Sequence, residues 1–122
     1  MDIRIKTTDY QAPAEVSAHI DSRIGIIEKA LPFDQAEHAR CELEVGKGVG
    51  NVKHGEIWFA EINLIASGKR MRATAEAENV NMAIDEAKDE IIRQVRKHQQ
   101  LHRRILRKGE SMIKNALRFG RE

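Results

Sequence analysis

The stretch that decides the fold is residues 56–98, EIWFAEINLIASGKRMRATAEAENVNMAIDEAKDEIIRQVRKH. Apolar and polar residues alternate over 56–66 and again over 71–76, with the two-residue period of half-buried strands. Between them, the Ser-Gly-Lys sequence at 67–69 is typical of a tight hairpin turn. Asn79 is a good helix N-cap, so a helix is expected to begin there. This stretch therefore predicts two antiparallel strands followed by a helix.

One face of that helix is apolar at the three- and four-residue spacing of a buried stripe: Val80, Ile84, Ala87, Ile91 and Val95. The same line continues through His98 and His102, so packing against the core is expected to end near residue 98. Beyond that point the alternatives are a projecting helix, a frayed end or a tail, and Gly109 is a candidate position for a break. We therefore divide the chain into a domain of residues 1–98 and a basic C-terminal extension of residues 99–122, either helical or disordered.

The N-terminal half adds a strand, a helix and a further strand. Residues 2–6 alternate, Pro13 suits the first turn of a helix, and residues 38–45 alternate again. The glycine-rich stretch 46–55 reads as a flexible loop. The apolar stripe of the first helix is Val16, Ile20, Ile24, Ile27 and Leu31. The order β-α-β-β-β-α predicts an α+β fold, a four-stranded sheet with two helices packed on one face. This order also occurs in modules that bind double-stranded RNA, but order alone gives no function.

The charge of the chain is strongly divided along its length. Residues 91–122 contain ten Lys and Arg against two acids, a net charge of +8, whereas residues 1–90 contain 11 bases and 17 acids, a net charge of −6. A like-charged segment of this density repels itself unless a polyanion neutralises it. The first hypothesis is therefore a nucleic-acid partner. A solvated helix face and an acidic protein or membrane surface are the alternatives.

The cations of the last helix fall on the half of the helix opposite its apolar stripe. Over residues 91–108, five Arg outnumber two Lys, which favours forked contacts to phosphate over diffuse attraction. Asp89 and Arg93 are spaced to form an ion pair. Arg23 and Lys29 would extend the same surface if the two helices lie side by side. The candidate contacts on the last helix are Arg93, Arg96, Lys97, Arg103, Arg104, Arg107 and Lys108.

The composition argues against most other classes of function. Aromatic residues make up 4% of the chain, too few for a wide base-stacking platform. No apolar run approaches the roughly 18 residues that span a membrane. Cys41 is the one cysteine and sits in an apolar alternation, which predicts a buried structural thiol and a reducing compartment, the cytoplasm by default.

Catalytic and metal-binding patterns are also absent from the sequence. His98 and His102 have the spacing of a helical metal pair, but the cations around them oppose a divalent ion, so no metal is expected. No catalytic triad, carboxylate pair or phosphate-binding loop emerges. The sequence predicts a protein that is not an enzyme and uses no cofactor and no small-molecule substrate.

Several short motifs occur in an order that resembles one family. They are Ile3-Arg4-Ile5, the Ile20/Ile24/Ile27/Leu31 helix, Glu61-Ile62-Asn63-Leu64 before Gly68-Lys69, and Ala83-Ile84-Asp85 followed by Arg93-Gln94-Val95-Arg96-Lys97-His98. Together they resemble the ribosome hibernation factors, the family of the short hibernation promoting factor and the ribosome-associated inhibitor also called protein Y. The resemblance covers about residues 1–98. Asn81 stands where the family usually has Tyr.

The resemblance implies a factor of stress and stationary phase that binds the small ribosomal subunit and its rRNA. It would block translation by occluding the channel where mRNA and tRNA lie. Basic residues on both helices would contact rRNA, which adds Lys88 to the candidates above. Involvement of a second hibernation factor stays open, as does the choice between ribosome dimers and inactive single ribosomes. The alternatives are a general double-stranded-RNA-binding or RNA chaperone protein and a module that docks on an acidic protein.

Overall fold

The protein folds as one four-stranded sheet carrying helices, in a computed structural model that describes residues 1–48 and 57–119, with side chains described up to residue 114 in the last helix. The strands lie in the order β1-β2-β3-β4, with β1 parallel to β2 and the other neighbours antiparallel. The predicted α+β fold is confirmed. The elements are β1 (Asp2–Thr8), α1 (Ala14–Ala30), α2 (Phe33–His38), β2 (Arg40–Lys47), β3 (Trp58–Ala66), β4 (Lys69–Ala77) and α3 (Val80–Phe119).

The β3–β4 hairpin closes through a two-residue turn. Ser67 has φ 51° and Gly68 has φ 74°, and Ala66 pairs directly with Lys69. Positive φ at both central residues is the type I′ geometry, whose twist matches that of the flanking strands. Lys69 therefore belongs to β4 and not to the turn, and β4 extends beyond the predicted 71–76 at both ends.

The core lies between the sheet and the two long helices. Alternate residues of β2 and β3 are buried and face the stripes of α1 and α3, as predicted. Ala83 and Ala87 on α3 have no accessible surface, and such small side chains allow a helix to approach a sheet closely. The fully buried larger side chains are Ile20, Ile24, Ile27, Leu43, Ile62, Leu64, Ile84, Ile91, Val45, Val95 and Cys41.

The short helix α2 was not predicted from the sequence. Pro32 precedes it, and the Pro32 carbonyl accepts a hydrogen bond from the Ala36 amide at 2.9 Å. Six residues are too few to show a helical period against the strand that follows. Because α2 extends to residue 38, β2 begins at Arg40 and not at the predicted residue 38.

The last helix, α3, is a continuous helix of 40 residues, so the candidate break at Gly109 does not occur. Asn79 caps it as predicted, because its Oδ1 accepts a hydrogen bond from the Met82 amide at 2.8 Å. Among the described side chains of α3, Val95 is the last buried one, and those from residue 100 to 114 are exposed apart from Gly109. One glycine costs a helix only about 1 kcal/mol, which a helix of this length tolerates.

The predicted glycine-rich loop falls partly outside the described residues. Gly46 belongs to β2, and a side chain there would collide with the carbonyl of Thr8 on β1. Glycine at this position therefore permits the close pairing of β1 with β2. The rest of the predicted loop, residues 49–55, lies outside the described part of the chain.

Candidate nucleic-acid interface

A cationic groove lies between the middle of α3 and the beginning of β4. Its volume is about 250 Å³. Four of the side chains lining it are cations, and no carboxylate lines it among the described residues. The lining residues are Lys69, Arg70, Met71, Arg93, Gln94, Lys97, His98 and Leu101. A groove with cations on both walls is suited to a phosphate backbone, which carries regularly spaced negative charges.

Two of the four groove cations, Lys69 and Arg70, were not among the sequence candidates. Lys69 was assigned to the hairpin turn, and β4 as predicted began only at Met71. The antiparallel return of β4 places both residues opposite α3, more than 20 positions later in the chain. The sequence shows only a pair of bases directly after a Ser-Gly turn. That pair does not indicate a binding site until α3 is known to pack along β4.

Arg93 contributes to the groove with its charge partly balanced. Its Nε and Nη2 donate to the two carboxylate oxygens of Glu90 at 2.8 and 2.7 Å. These hydrogen bonds from Arg93, aided by one from Gln94, lower the pKa of Glu90 to about 2. Gln94 also donates to the backbone carbonyl of Arg72 at 2.9 Å, which fixes α3 against β4. The predicted partner of Arg93, Asp89, instead lies 2.6 Å from Lys88 Nζ.

The outward face of α3 carries the predicted cations of this helix other than Lys88 and Arg93, including Lys97, which also lines the groove. All are exposed, and none of them pairs with a carboxylate among the described residues. The two nearer the sheet, Arg96 and Lys97, lie in the part of α3 that packs on the domain. Those further along project with the helix away from it. The residues are Arg96, Lys97, Arg103, Arg104, Arg107 and Lys108.

Arg23 has a different environment from the groove cations. Its Nε donates to Oδ1 of Asp85 at 2.8 Å, and His19 Nε2 lies 2.8 Å from the same oxygen. The three side chains connect α1 with the first turns of α3. Burial acts to raise the pKa of Asp85, but the hydrogen bonds and charges of Arg23 and His19 outweigh it and hold the pKa below its usual value.

We expect Asp85→Asn to lower the melting temperature by a few degrees at pH 7, because it removes a part-exposed ion pair worth up to about 1 kcal/mol. The folded pKa of Asp85 lies below the unfolded value of about 3.9. The pair therefore stabilises the fold above about pH 4 and loses its effect as the pH falls through the folded pKa. Thermal melts should show a larger difference from wild type at pH 7 than at pH 3. Asp21→Asn, at an exposed position on α1, is the control.

The two remaining candidates, Lys29 and Lys88, lie apart from the groove. Lys29 is exposed in the last turn of α1. The side chain of Lys88 is only 16% exposed and is paired with Asp89. The structure therefore brings together Arg93 and Lys97 with the newly found Lys69 and Arg70. It leaves Arg23, Lys29, Lys88 and Arg96 outside that cluster.

The two histidines lie where α3 leaves the domain. They line a cavity of about 340 Å³ with Pro32, Gln35, Ser67, Gln99 and Arg103. Gln99 donates to the backbone carbonyl of Ala30 at 3.1 Å, which ties α3 to the end of α1. The described residues contain no group of three His, Cys, Asp or Glu that could hold a metal ion.

Cys41 is a structural thiol. It has no accessible surface, and burial, together with the neighbouring Glu42 charge, raises its pKa to about 11. A thiol with this pKa stays protonated and is a poor nucleophile. Among the helices of the described chain, none combines the length and the apolarity that crossing a bilayer would require.

The fold is similar to two solved structures. One is the crystal structure of the Protein Y N-terminal domain from Thermus thermophilus, with a TM-score of 0.64 and 16% identity over 80% of this chain and 99% of that one. The other is a ribosomal subunit interface protein from Coxiella burnetii, with a TM-score of 0.61 and 11% identity over 82% and 99%. At these identities the likeness shows the fold alone. No curated protein matches the chain in sequence.

Family membership follows from the sequence. Residues 3–103 match the family described as sigma 54 modulation protein / S30EA ribosomal protein. The match spans the four strands, α1, α2 and α3 as far as Arg103, and so it contains the whole cationic groove. It confirms the resemblance to the hibernation factors. This chain belongs to the sigma 54 modulation protein / S30EA ribosomal protein family, a family of ribosome-associated modulation factors.

Proposed function

We propose that this protein binds the small ribosomal subunit in the channel where mRNA and tRNA lie and blocks translation by occupying it. The observation that carries the proposal is the groove between α3 and β4, with four cations and no lining carboxylate among the described residues, in a member of a ribosome-associated family. The name of one similar structure, a ribosomal subunit interface protein, supports a ribosomal partner. The mechanism needs no catalytic residue, cofactor or small-molecule substrate.

The groove and the outward face of α3 form one continuous binding surface in this proposal. Lys69, Arg70 and Lys97 neutralise rRNA phosphates from the two walls of the groove, and Arg96 extends the contact along the helix. The sheet and the buried stripe of α3 hold these cations at fixed spacing, so that they select an rRNA shape and not a base sequence. Arg23, Lys29 and Lys88 are assigned to the edge of the contact, along α1 and the first half of α3.

The biological setting follows from this mechanism. A protein that occupies the decoding channel regulates translation in the cytoplasm, and we assign it to ribosome hibernation under stress and in stationary phase. Its partners are the small subunit and rRNA. The proposed contact uses the groove and the outward face of α3, and it does not exclude a second hibernation factor as a further partner.

Binding to ribosomes should fall steeply with salt. If about six phosphates are neutralised, counterion release gives a slope of about −4 to −5 in a plot of log affinity against log salt. Co-sedimentation with purified small subunits over a range of salt concentrations measures it. Excess duplex RNA tests specificity in the same assay. Complete displacement by duplex RNA would favour a general RNA-binding protein over a ribosome-specific one.

Truncation after Gln100 should leave the domain folded and weaken ribosome binding. Val95 is the last buried side chain among those described in α3, so we expect the removed residues to contribute little to the core. They carry seven of the ten C-terminal cations, so the salt slope should become smaller. Thermal melts and rRNA footprinting of both forms check this. A footprint on a different part of the rRNA would show that the tail, and not the groove, selects the site.

A further inference from the structure

We propose that the projecting part of α3 pairs with the same segment of a second copy, with the two helices antiparallel and crossing at Gly109. We call this segment, residues 99–119, the arm. Its described side chains, which end at residue 114, include five large apolar ones whose exposed fractions run from 51% to 72%. None of them belongs to the core, and only Leu101 also lines the cationic groove. They are Leu101, Ile105, Leu106, Met112 and Ile113.

These apolar side chains are placed symmetrically about Gly109. Ile105 and Ile113 lie four residues before and after it, and Leu106 and Met112 lie three residues before and after it. At about 100° per residue, all four point within about 60° of the Gly109 direction. In an antiparallel pair related by a twofold axis, each residue before the centre faces one after it. Ile105 then meets Ile113 of the partner subunit, and Leu106 meets Met112 of the partner subunit.

Gly109 gives the crossing point the space it needs. A Cβ atom built there would meet nothing within 4 Å, so the glycine is not required by any contact within the chain. A glycine at the centre of an apolar helix face allows two backbones to approach closely. The residue that was a candidate break in the helix is instead the middle of its symmetric apolar face.

The charges of the arm leave this face open to a second copy. Each described cation of the arm points about 100° or more from the Gly109 direction, so pairing turns the cations outward and keeps them available to RNA. They are Arg103, Arg104, Arg107, Lys108 and Lys114. The arm has six bases against the single acid Glu110, so two arms repel each other at low salt. Added salt screens that repulsion.

The area of the face makes the pair weak and concentration-dependent. At roughly 100 Å² per aliphatic side chain, somewhat more than half of it exposed, five side chains present about 300 Å² per copy. Two copies would bury about 600 Å², below the ~1,000 Å² of a stable interface. We therefore expect a monomer–dimer equilibrium whose dimer fraction increases with protein concentration and with salt. Binding to RNA has the opposite salt dependence.

Disulfide trapping in the full chain tests the pair. Gly109→Cys should form a covalent dimer under mild oxidation, because the two cysteines meet at the crossing point. Ser111→Cys, on the outward face of the same helix, is the matched control and should cross-link at least tenfold more slowly. The wild-type chain, in which Cys41 is buried, gives the background rate of cross-linking. Equal rates for the two variants would overturn the proposal.

The antiparallel orientation is tested by mixing two variants. Ile105→Cys and Ile113→Cys should cross-link with each other faster than either does with itself. Faster self-cross-linking would indicate parallel helices and overturn the proposed geometry.

Sedimentation equilibrium separates a second copy from other occupants. The dimer fraction of the wild-type chain should increase from low to high salt, and Ile105→Gln combined with Ile113→Gln should abolish it. A chain that stays monomeric at every salt concentration would overturn the proposal. So would an arm that binds vesicles of anionic lipid through these isoleucines without self-association. Neither result depends on ribosome binding, so the two proposals fail separately.

Discussion

Ile91→Asp should unfold the domain. Ile91 has no accessible surface and lies in the middle of the stripe that packs α3 on the sheet. A carboxylate placed there has no cation or hydrogen-bond donor to pair with, which costs at least several kcal/mol. The whole stability of a small domain is only about 5–15 kcal/mol. Circular dichroism at pH 7 should therefore show no cooperative thermal transition for this variant.

The matched control is Ile105→Asp. It makes the same chemical change on the same helix, at a position that is 59% exposed. The melting temperature should change little, because surface substitutions away from special features are usually within about 0.5 kcal/mol. If Ile105→Asp unfolded the protein as well, the projecting part of α3 would belong to the core and the domain would not end near residue 98.

Lys69→Glu combined with Lys97→Glu should abolish most of the ribosome binding. The two residues lie on opposite walls of the cationic groove, and each hydrogen bond to a charged group contributes about 1.5–3 kcal/mol. Loss of both contacts, with repulsion added, should weaken binding on the order of 100-fold or more. The salt slope should decrease by about 2, one for each lost phosphate contact. Co-sedimentation and thermal melting of the same samples measure both quantities.

Arg4→Glu combined with Lys6→Glu is the control for net charge. It changes the total charge by the same amount on the sheet face away from the helices, where both side chains are exposed and their ion pairs are long, 3.8 and 4.0 Å. Binding should fall only slightly. Equal loss in the two double variants would mean that total charge, and not the groove, determines affinity. The proposal of a located binding site would then be abandoned.

The fold was largely predictable because its elements carry strong local signals. Apolar alternation in β2 and β3 and the long stripes of α1 and α3 each repeat over several residues, and the structure buries the residues that they predict. The features that the sequence did not predict correctly are short or local. The helix α2 has six residues, too few for a period to appear. Gly109 was a candidate helix break from propensity alone, whereas one glycine costs too little to interrupt a helix with good helix formers on both sides.

The candidate site was only half predictable. The sequence indicated the cationic face of α3, because seven bases within 91–108 share one side of a helix. It did not indicate Lys69 and Arg70, because their proximity to α3 arises from long-range packing. It also gave Arg93 the wrong partner, Asp89. Asp89 and Glu90 lie four and three residues before Arg93, so either can reach it on a helix. The structure pairs Arg93 with Glu90, and sequence spacing alone does not distinguish the two acids.

The sequence by itself determined the order of the four strands and two long helices, the residues of the core, the separation of charge and the family. These depend on local periodicity, composition and short motifs. Only the tertiary structure decided which cations meet. The hairpin returns β4 alongside α3, so two bases from a strand complete a groove with two from a helix, and α3 holds Asp85 against Arg23, which moves that base away from the groove. Such contacts depend on how elements pack at distances of many residues, and no local pattern in the chain specifies them.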